Sequence, residues 1–149
     1  MDSQKLVQKI ISDIESEIGK PCQQLESIID EYVLQIPSED LRPIAKVLTK
    51  NHGFYHLSTI TAQITKDYPD YIEILYHFWN GSGFTLLMRL EKENPVIDSI
   101  IDYFPGVDFY EREVAEMYDV HFNLRDATPP LLLPDDWTEG PPMLLSEKE

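Results

Sequence analysis

The side chains of this 149-residue chain that could carry chemistry are few and scattered. Its histidines, His52, His56, His77 and His121, fall in different stretches. A metal site needs ligands that converge, and His52 and His56, although four apart, straddle Gly53, a helix-ending residue. They read as structural or exposed histidines. A single cysteine, Cys22 after Pro21, excludes an internal disulfide and any cluster held by several cysteines of this chain alone. Gly81-x-Gly83 has no third glycine and no helix after it, so it reads as a turn and not a phosphate cradle. No Walker motif, nucleophile elbow or dinucleotide fingerprint is present.

The densest set of ionisable groups is Glu111, Arg112, Glu113, Glu116 and Asp119, followed downstream by Asp135-Asp136. Clustered carboxylates can run acid–base chemistry when burial or a like charge raises one pKa. No histidine is tied to this cluster by spacing, and solvated charges on a surface helix explain it equally. Val107, Tyr110, Val114 and Met117 recur at helical spacing and predict one buried stripe. Asp108 suits the positive end of that helix, and Arg112 stands four residues from both Asp108 and Glu116.

The elements before this segment predict an α+β scaffold. Leu6, Ile10, Ile14 and Ile18, widened by Val7 and Ile11, give a helix over residues 3–18 that ends at Gly19-Lys20-Pro21. Residues 26–36 read as extended, with Asp30-Glu31 as a bend. Leu41, Ile44, Ala45 and Leu48 predict a second helix to about Asn51. Pro43 must lie in its first turn, which favours Asp40 over Ser38 as the cap. Residues 54–64 read as a strand, Tyr71–Trp79 as a second, and residues 84–90 as a third after the Asn80-Gly81-Ser82-Gly83 hairpin. Ile97, Ile100 and Ile101 predict a short helix ending at Phe104. The expected architecture is a mostly antiparallel sheet with helices on one face, an N-terminal helix over residues 1–22, a central domain over 23–122 and an irregular Pro-rich tail over 123–149. That tail, with Pro129, Pro130, Pro134, Pro141 and Pro142 and no periodicity, would be ordered by docking.

The balance of 27 acidic against 12 basic residues, net −15, repels nucleic-acid phosphates and anionic membrane surfaces. A basic or metal-bearing partner fits that charge. No apolar run approaches the roughly 20 residues of a membrane span, and the N-terminus lacks a signal-peptide core. These features predict a cytosolic protein without direct membrane insertion.

Glu111-Arg112-Glu113 followed by Tyr118-Asp119-Val120-x-Phe122 resembles the "E-R-E…Y-D-x-x-G-I-x-F" signature of the 30-kilodalton subunit family of respiratory complex I, the C subunit of the bacterial enzyme. That family includes the matching subunits of F(420)H(2) dehydrogenases and of membrane-bound energy-converting nickel–iron hydrogenases. Pro134-Asp135-Asp136-Trp137 resembles the family's "P-D-D-W", and Glu139-Gly140-Pro141-Pro142-Met143 its "E-G-x-P-L". The sequence departs from the pattern at Asp119-Val120, where the family's D-x-x-G-I is longer, at Leu124-Arg125-Asp126, where the family has G-H-P, at Pro129-Pro130, where it has an Arg pair, and at Leu144-Leu145-Ser146, where it has R-K-D. The missing basic anchors favour a divergent, hydrogenase-like branch over a quinone-reducing one.

The resemblance implies a structural subunit that holds no redox centre of its own. It implies a place in the hydrophilic arm of a membrane-bound redox complex, peripheral on the cytoplasmic face. Its neighbours there would be the large subunit, with a possible nickel–iron site, and small subunits carrying iron–sulfur clusters, with the membrane arm reached indirectly. Arg112 and Glu113 are expected in a buried charged network, and Phe122 and Trp137 as apolar anchors on the partner. An acid–base enzyme and a free-standing adaptor are the alternatives.

Overall fold

The computed structural model describes residues 3–26, 32–81 and 83–145. Helix α1 (Ser3–Ile18) leads to strands β1 (Gln23–Leu25) and β2 (Tyr32–Gln35), then helix α2 (Leu41–His52). Strands β3 (His56–Gln63), β4 (Tyr71–Trp79) and β5 (Gly83–Glu91) follow, then β6 (Val96–Asp98), α3 (Asp108–Tyr118) and β7 (His121–Asn123). The sheet order is β1-β2-β5-β4-β3, antiparallel except for the parallel β2–β5 pair.

Strand alternation decides which face is buried. In the β4–β5 register, Ile72 faces Leu90, Ile74 faces Met88, Tyr76 faces Leu86 and Phe78 faces Phe84. All eight are buried, and they join one core with Ile10 and Ile14 of α1, Ile44 and Leu48 of α2, and Val114 of α3. Phe78 packs on Phe104 at 5.1 Å between ring centroids and meets Phe54 edge-on at 6.5 Å. The opposite face is mixed, with Leu75, Leu87 and Trp79 beside polar side chains. His77 bridges Thr61 and Thr85 at 3.0 Å each, and Arg89 Nε donates to Glu73 at 2.8 Å under the Tyr68 ring. Helix α1 is fixed to α2 both by its apolar stripe and by the 2.8 Å contact of His52 Nε2 with Asp13. Helix α2 ends on Gly53 at φ +64°, a conformation that a residue without Cβ adopts freely.

The structure corrects three expectations. The helix predicted at Ile97–Phe104 spacing is strand β6 and a single turn. Residue 96 pairs in parallel with residue 121 and residue 98 with 123, in a separate two-stranded sheet. Only Tyr103 N and Phe104 N close a turn, both onto Ile100 O. Ile97 and Ile100 are still buried, so the apolar spacing marked burial and not helix. The stripe of α3 is rotated: the buried positions are Val107, Glu111, Val114 and Tyr118, with Tyr110 and Met117 at its margin. Strand β1 is additional to the extended reading of 26–36, whose bend at Asp30-Glu31 lies outside the described residues. Asp40 does precede α2, with Pro43 inside the first turn, but it makes no side-chain cap hydrogen bond. It pairs instead with Lys20 at 2.7 Å.

Candidate docking site

The charged segment is organised by one fully buried carboxylate. Glu111 has no exposed surface, because its place on the helix faces the core. An isolated buried carboxylate is costly, so its oxygens must be satisfied. Ser99 Oγ donates to Oε2 at 2.6 Å, Ile100 N–H to Oε1 at 3.1 Å, and Arg125 Nη1 to Oε2 at 2.9 Å. Arg125 also donates to Asp108 Oδ1. That hydrogen bond is the largest cause holding the Asp108 carboxyl below the usual carboxylate range. Burial works against the Arg125 charge, yet its bonds to Asp108 and Glu111 leave that guanidinium more basic than usual. Nearby, the fully buried Tyr76 hydroxyl is pushed well above its ordinary pKa, first by burial and then by the Glu111 charge.

This network differs from the expected one. Glu113 is exposed and outside it, because neighbours on a helix diverge by about 100° and Glu111 took the inward position. Arg112 is partly buried at the edge of this network, with Nη1 3.5 Å from Asp108, Nη2 donating to Pro129 O at 3.2 Å, and its guanidinium 5.7 Å from the Phe109 ring centre. It does not pair with Glu116. That carboxylate accepts three consecutive tail amides, Leu131 N at 3.1 Å, Leu132 N at 2.8 Å and Leu133 N at 3.2 Å.

The tail is therefore strapped to its own helix, Arg112 holding a carbonyl and Glu116 a run of amides. Between helix and strap lies a cavity of about 550 Å³, floored by Ala115, Val120 and Phe122 and walled by Pro129 and Pro130. Among the described residues the tail lies against α3 through these contacts. Prolines fit the strap because a segment without helix or sheet partners loses little from missing N–H groups.

The remaining motif residues have local structural duties. Tyr118 closes the last turn of α3 and donates its hydroxyl to Ala62 O at 2.9 Å, satisfying a carbonyl of edge strand β3. Its own pKa is raised by burial. Asp119 takes the left-handed conformation at φ +57° that ends the helix, a position Asp tolerates better than most residues. Val120, just before β7, and Phe122 within it then turn into the core. Phe122 is 6% exposed, so it anchors this domain and not a partner, which corrects the expectation for it. Pro134-Asp135-Asp136-Trp137 is a turn, closed by Trp137 N–H to Pro134 O at 3.0 Å. The indole Nε1 donates to Gly140 O at 2.7 Å, with Gly140 at φ +84°. Asp135 and Asp136 are exposed. Trp137 retains 37% of its surface, and Leu132 and Met143 are more exposed still.

Sequence reasoning missed Arg125, the cationic partner of Glu111, because it appeared only as a departure from the family pattern. No signal in the sequence pointed to it, because the burial of Glu111 appears only in the folded structure. Among the described residues no group of His, Cys, Asp and Glu could hold a metal ion, and no helix is long and apolar enough to cross a membrane.

Fold and site together define a small α+β domain that presents an apolar, acid-rimmed tail surface. The protein belongs to the family described as respiratory-chain NADH dehydrogenase, 30 Kd subunit, which residues 34–147 match. It is 26% identical over 141 residues to the C subunit of the F(420)H(2) dehydrogenase of Methanosarcina mazei, covering 91% of this sequence and 85% of that one. It is likewise 26% identical over 140 residues to the C subunit of the NADH-quinone oxidoreductase of Moorella thermoacetica, covering 91% and 86%. The fold is shared with a polypeptide in the structure of the membrane-bound sulfane sulfur reductase, an archaeal respiratory membrane complex, at a TM-score of 0.76 and 18% identity, covering 91% of this protein and 79% of that one. The relatives named here are thus C subunits of F(420)H(2) and NADH-quinone oxidoreductases.

Proposed function

We propose that this protein is a structural and assembly subunit of the hydrophilic arm of a membrane-bound redox complex, without a redox centre of its own. It would lie on the cytoplasmic face, against the large subunit and the small subunits that carry iron–sulfur clusters, and reach the membrane arm only through them. The observation that carries this reading is the strapped tail. Glu116 and Arg112 hold residues 129–133 in a fixed path, so that Leu132, Trp137 and Met143 are presented rather than buried. A surface ordered in advance loses less entropy on docking, and Trp is the residue type most often found to dominate interface energy.

The branch of the family is a finer matter. The curated relatives named above are dehydrogenase subunits, which favours a quinone- or phenazine-linked NADH or F(420)H(2) dehydrogenase. The loss of basic residues at Pro129-Pro130 and Leu144-Leu145-Ser146 favours a hydrogenase-type complex. The large subunit that accompanies the protein distinguishes them, since only the hydrogenase version would bring nickel.

The test is purification of the tagged protein from mildly solubilised membranes, with mass spectrometry and metal analysis. Recovery with iron–sulfur subunits and multi-span membrane proteins is expected. Trp137→Ala should weaken assembly by about 2 kcal/mol or more. Wild-type protein recovered alone under gentle conditions would refute the assembly role, and turnover of a substrate unaided would support an enzyme instead.

A further inference from the structure

Leu124 follows β7 and opens the tail, and its backbone lies at φ +64°. Side chains with a Cβ adopt that region only against steric resistance, and glycine adopts it freely. Leu124 gains nothing visible in return within the fold, because 66% of its surface is exposed. A disfavoured backbone that supports an exposed apolar side chain is the pattern of a residue kept for contact. It sits in an open depression of about 670 Å³ with Ile101, Arg125, Asp126 and Thr128.

The charge around this depression defines what can enter it. Arg125 turns inward to Glu111 and Asp108, so its cation is neutralised. Asp126 is exposed and has no ion pair among the described residues. Asp126 is the one carboxylate among the residues that line the depression, and the exposed carboxylates elsewhere on α3 and the tail, Glu113, Asp119, Asp135, Asp136 and Glu139, add to the general negative charge without an ion pair among the described residues. Arg112 and Arg125, the basic residues of this end, are both engaged with Asp108. A net charge of −15 repels a second copy of the protein and an anionic lipid surface alike.

We propose that the Leu124 depression is a docking site for a partner protein that inserts an apolar side chain flanked by lysine or arginine. The inference rests on the assembly reading above and adds the site and the chemistry of its occupant. Steering by the unpaired carboxylates would set the approach, and Leu124 with Ile101 would bury the apolar side chain.

Leu124→Gly separates contact from stability. It relieves the backbone and removes the side chain, so the isolated protein should melt about 2–4 °C higher, while its affinity for the purified complex lacking this subunit falls roughly tenfold. Reconstitution should also weaken as NaCl rises. Photo-leucine at position 124 should crosslink to a peptide of another subunit with Lys or Arg beside the linked residue. Unchanged reconstitution by Leu124→Gly, or a crosslink to lipid or to a second copy, overturns the proposal while the assembly reading stands. A lower melting temperature for Leu124→Gly overturns it too, since the side chain would then be serving this fold. Failure of the wild-type protein to rejoin the depleted complex overturns both.

Discussion

Arg125 donates to the fully buried Glu111 carboxylate at 2.9 Å, across a separation of 14 residues. Glu111 projects from α3 into the core, and Arg125 stands at the root of the tail, so one ion pair fixes where the tail departs. Buried pairs of this kind add little net stability compared with an apolar pair, but breaking one strands a charge. The pair therefore specifies a path more than it stabilises a fold.

Arg125→Ala leaves Glu111 with Ser99 and the Ile100 amide and no cation. This variant should lose about 3–5 kcal/mol of unfolding free energy, read as a lower urea midpoint. Glu111→Gln removes the stranded charge and should lose less when paired with Arg125→Met than Arg125→Ala loses alone. Equal losses would mean that the charge itself is not what needs a partner.

Glu116→Ala removes the acceptor for three tail amides. The tail should loosen by about 1–3 kcal/mol, so amide exchange at Leu131, Leu132 and Leu133 should quicken roughly tenfold to a hundredfold. The Ile72 and Ile74 amides in the sheet should keep their protection. Unchanged exchange at residues 131–133 would show that the prolines and Arg112 alone hold the strap.

Acid should weaken the ion pairs of Asp108 and Asp102. The folded-state pKa values of Asp108 and Asp102 are both depressed, chiefly by hydrogen bonds from Arg125 and Arg42. A depressed carboxylate contributes stability that is present above its unfolded pKa of about 3.9 and is lost as pH falls through the folded value. The melting temperature should accordingly hold from neutrality to about pH 5 and fall below about pH 4, with these two carboxylates contributing to the fall. In Arg125→Ala the Asp108 contribution should shrink to what Arg112 sustains, so its acid slope should be shallower than that of the wild type.

Much of this molecule is set by local chemistry and can be read from the amino-acid order. In strands β4 and β5, Ile72, Ile74, Tyr76 and Phe78, and Phe84, Leu86, Met88 and Leu90, recur at every second position, so one apolar face shows in the sequence although Leu75 and Leu87 break the alternation. Helix α2 carries Pro43 in its first turn and ends on Gly53 for reasons confined to the backbone. The Tyr118-Asp119-Val120-x-Phe122 run is a helix end followed by an alternating strand, and its spacing shows in the sequence. What only the tertiary structure decided is long-range. Ile97, Ile100 and Ile101 have helical spacing, yet parallel pairing with β7 made the segment a strand and a turn, since main-chain partners from residues 121–123 outweighed weak local propensity. The rotation of α3 by one position exchanged Glu113 for Glu111, because a helix face is chosen by what packs against it, and Ser99 and Arg125 reach that face from 12 and 14 residues away. The path of the tail likewise depends on Glu116 meeting amides 15 to 17 residues downstream. Composition records which side chains are apolar or charged, but the solvent exposure of a charge is fixed only when distant segments close over it.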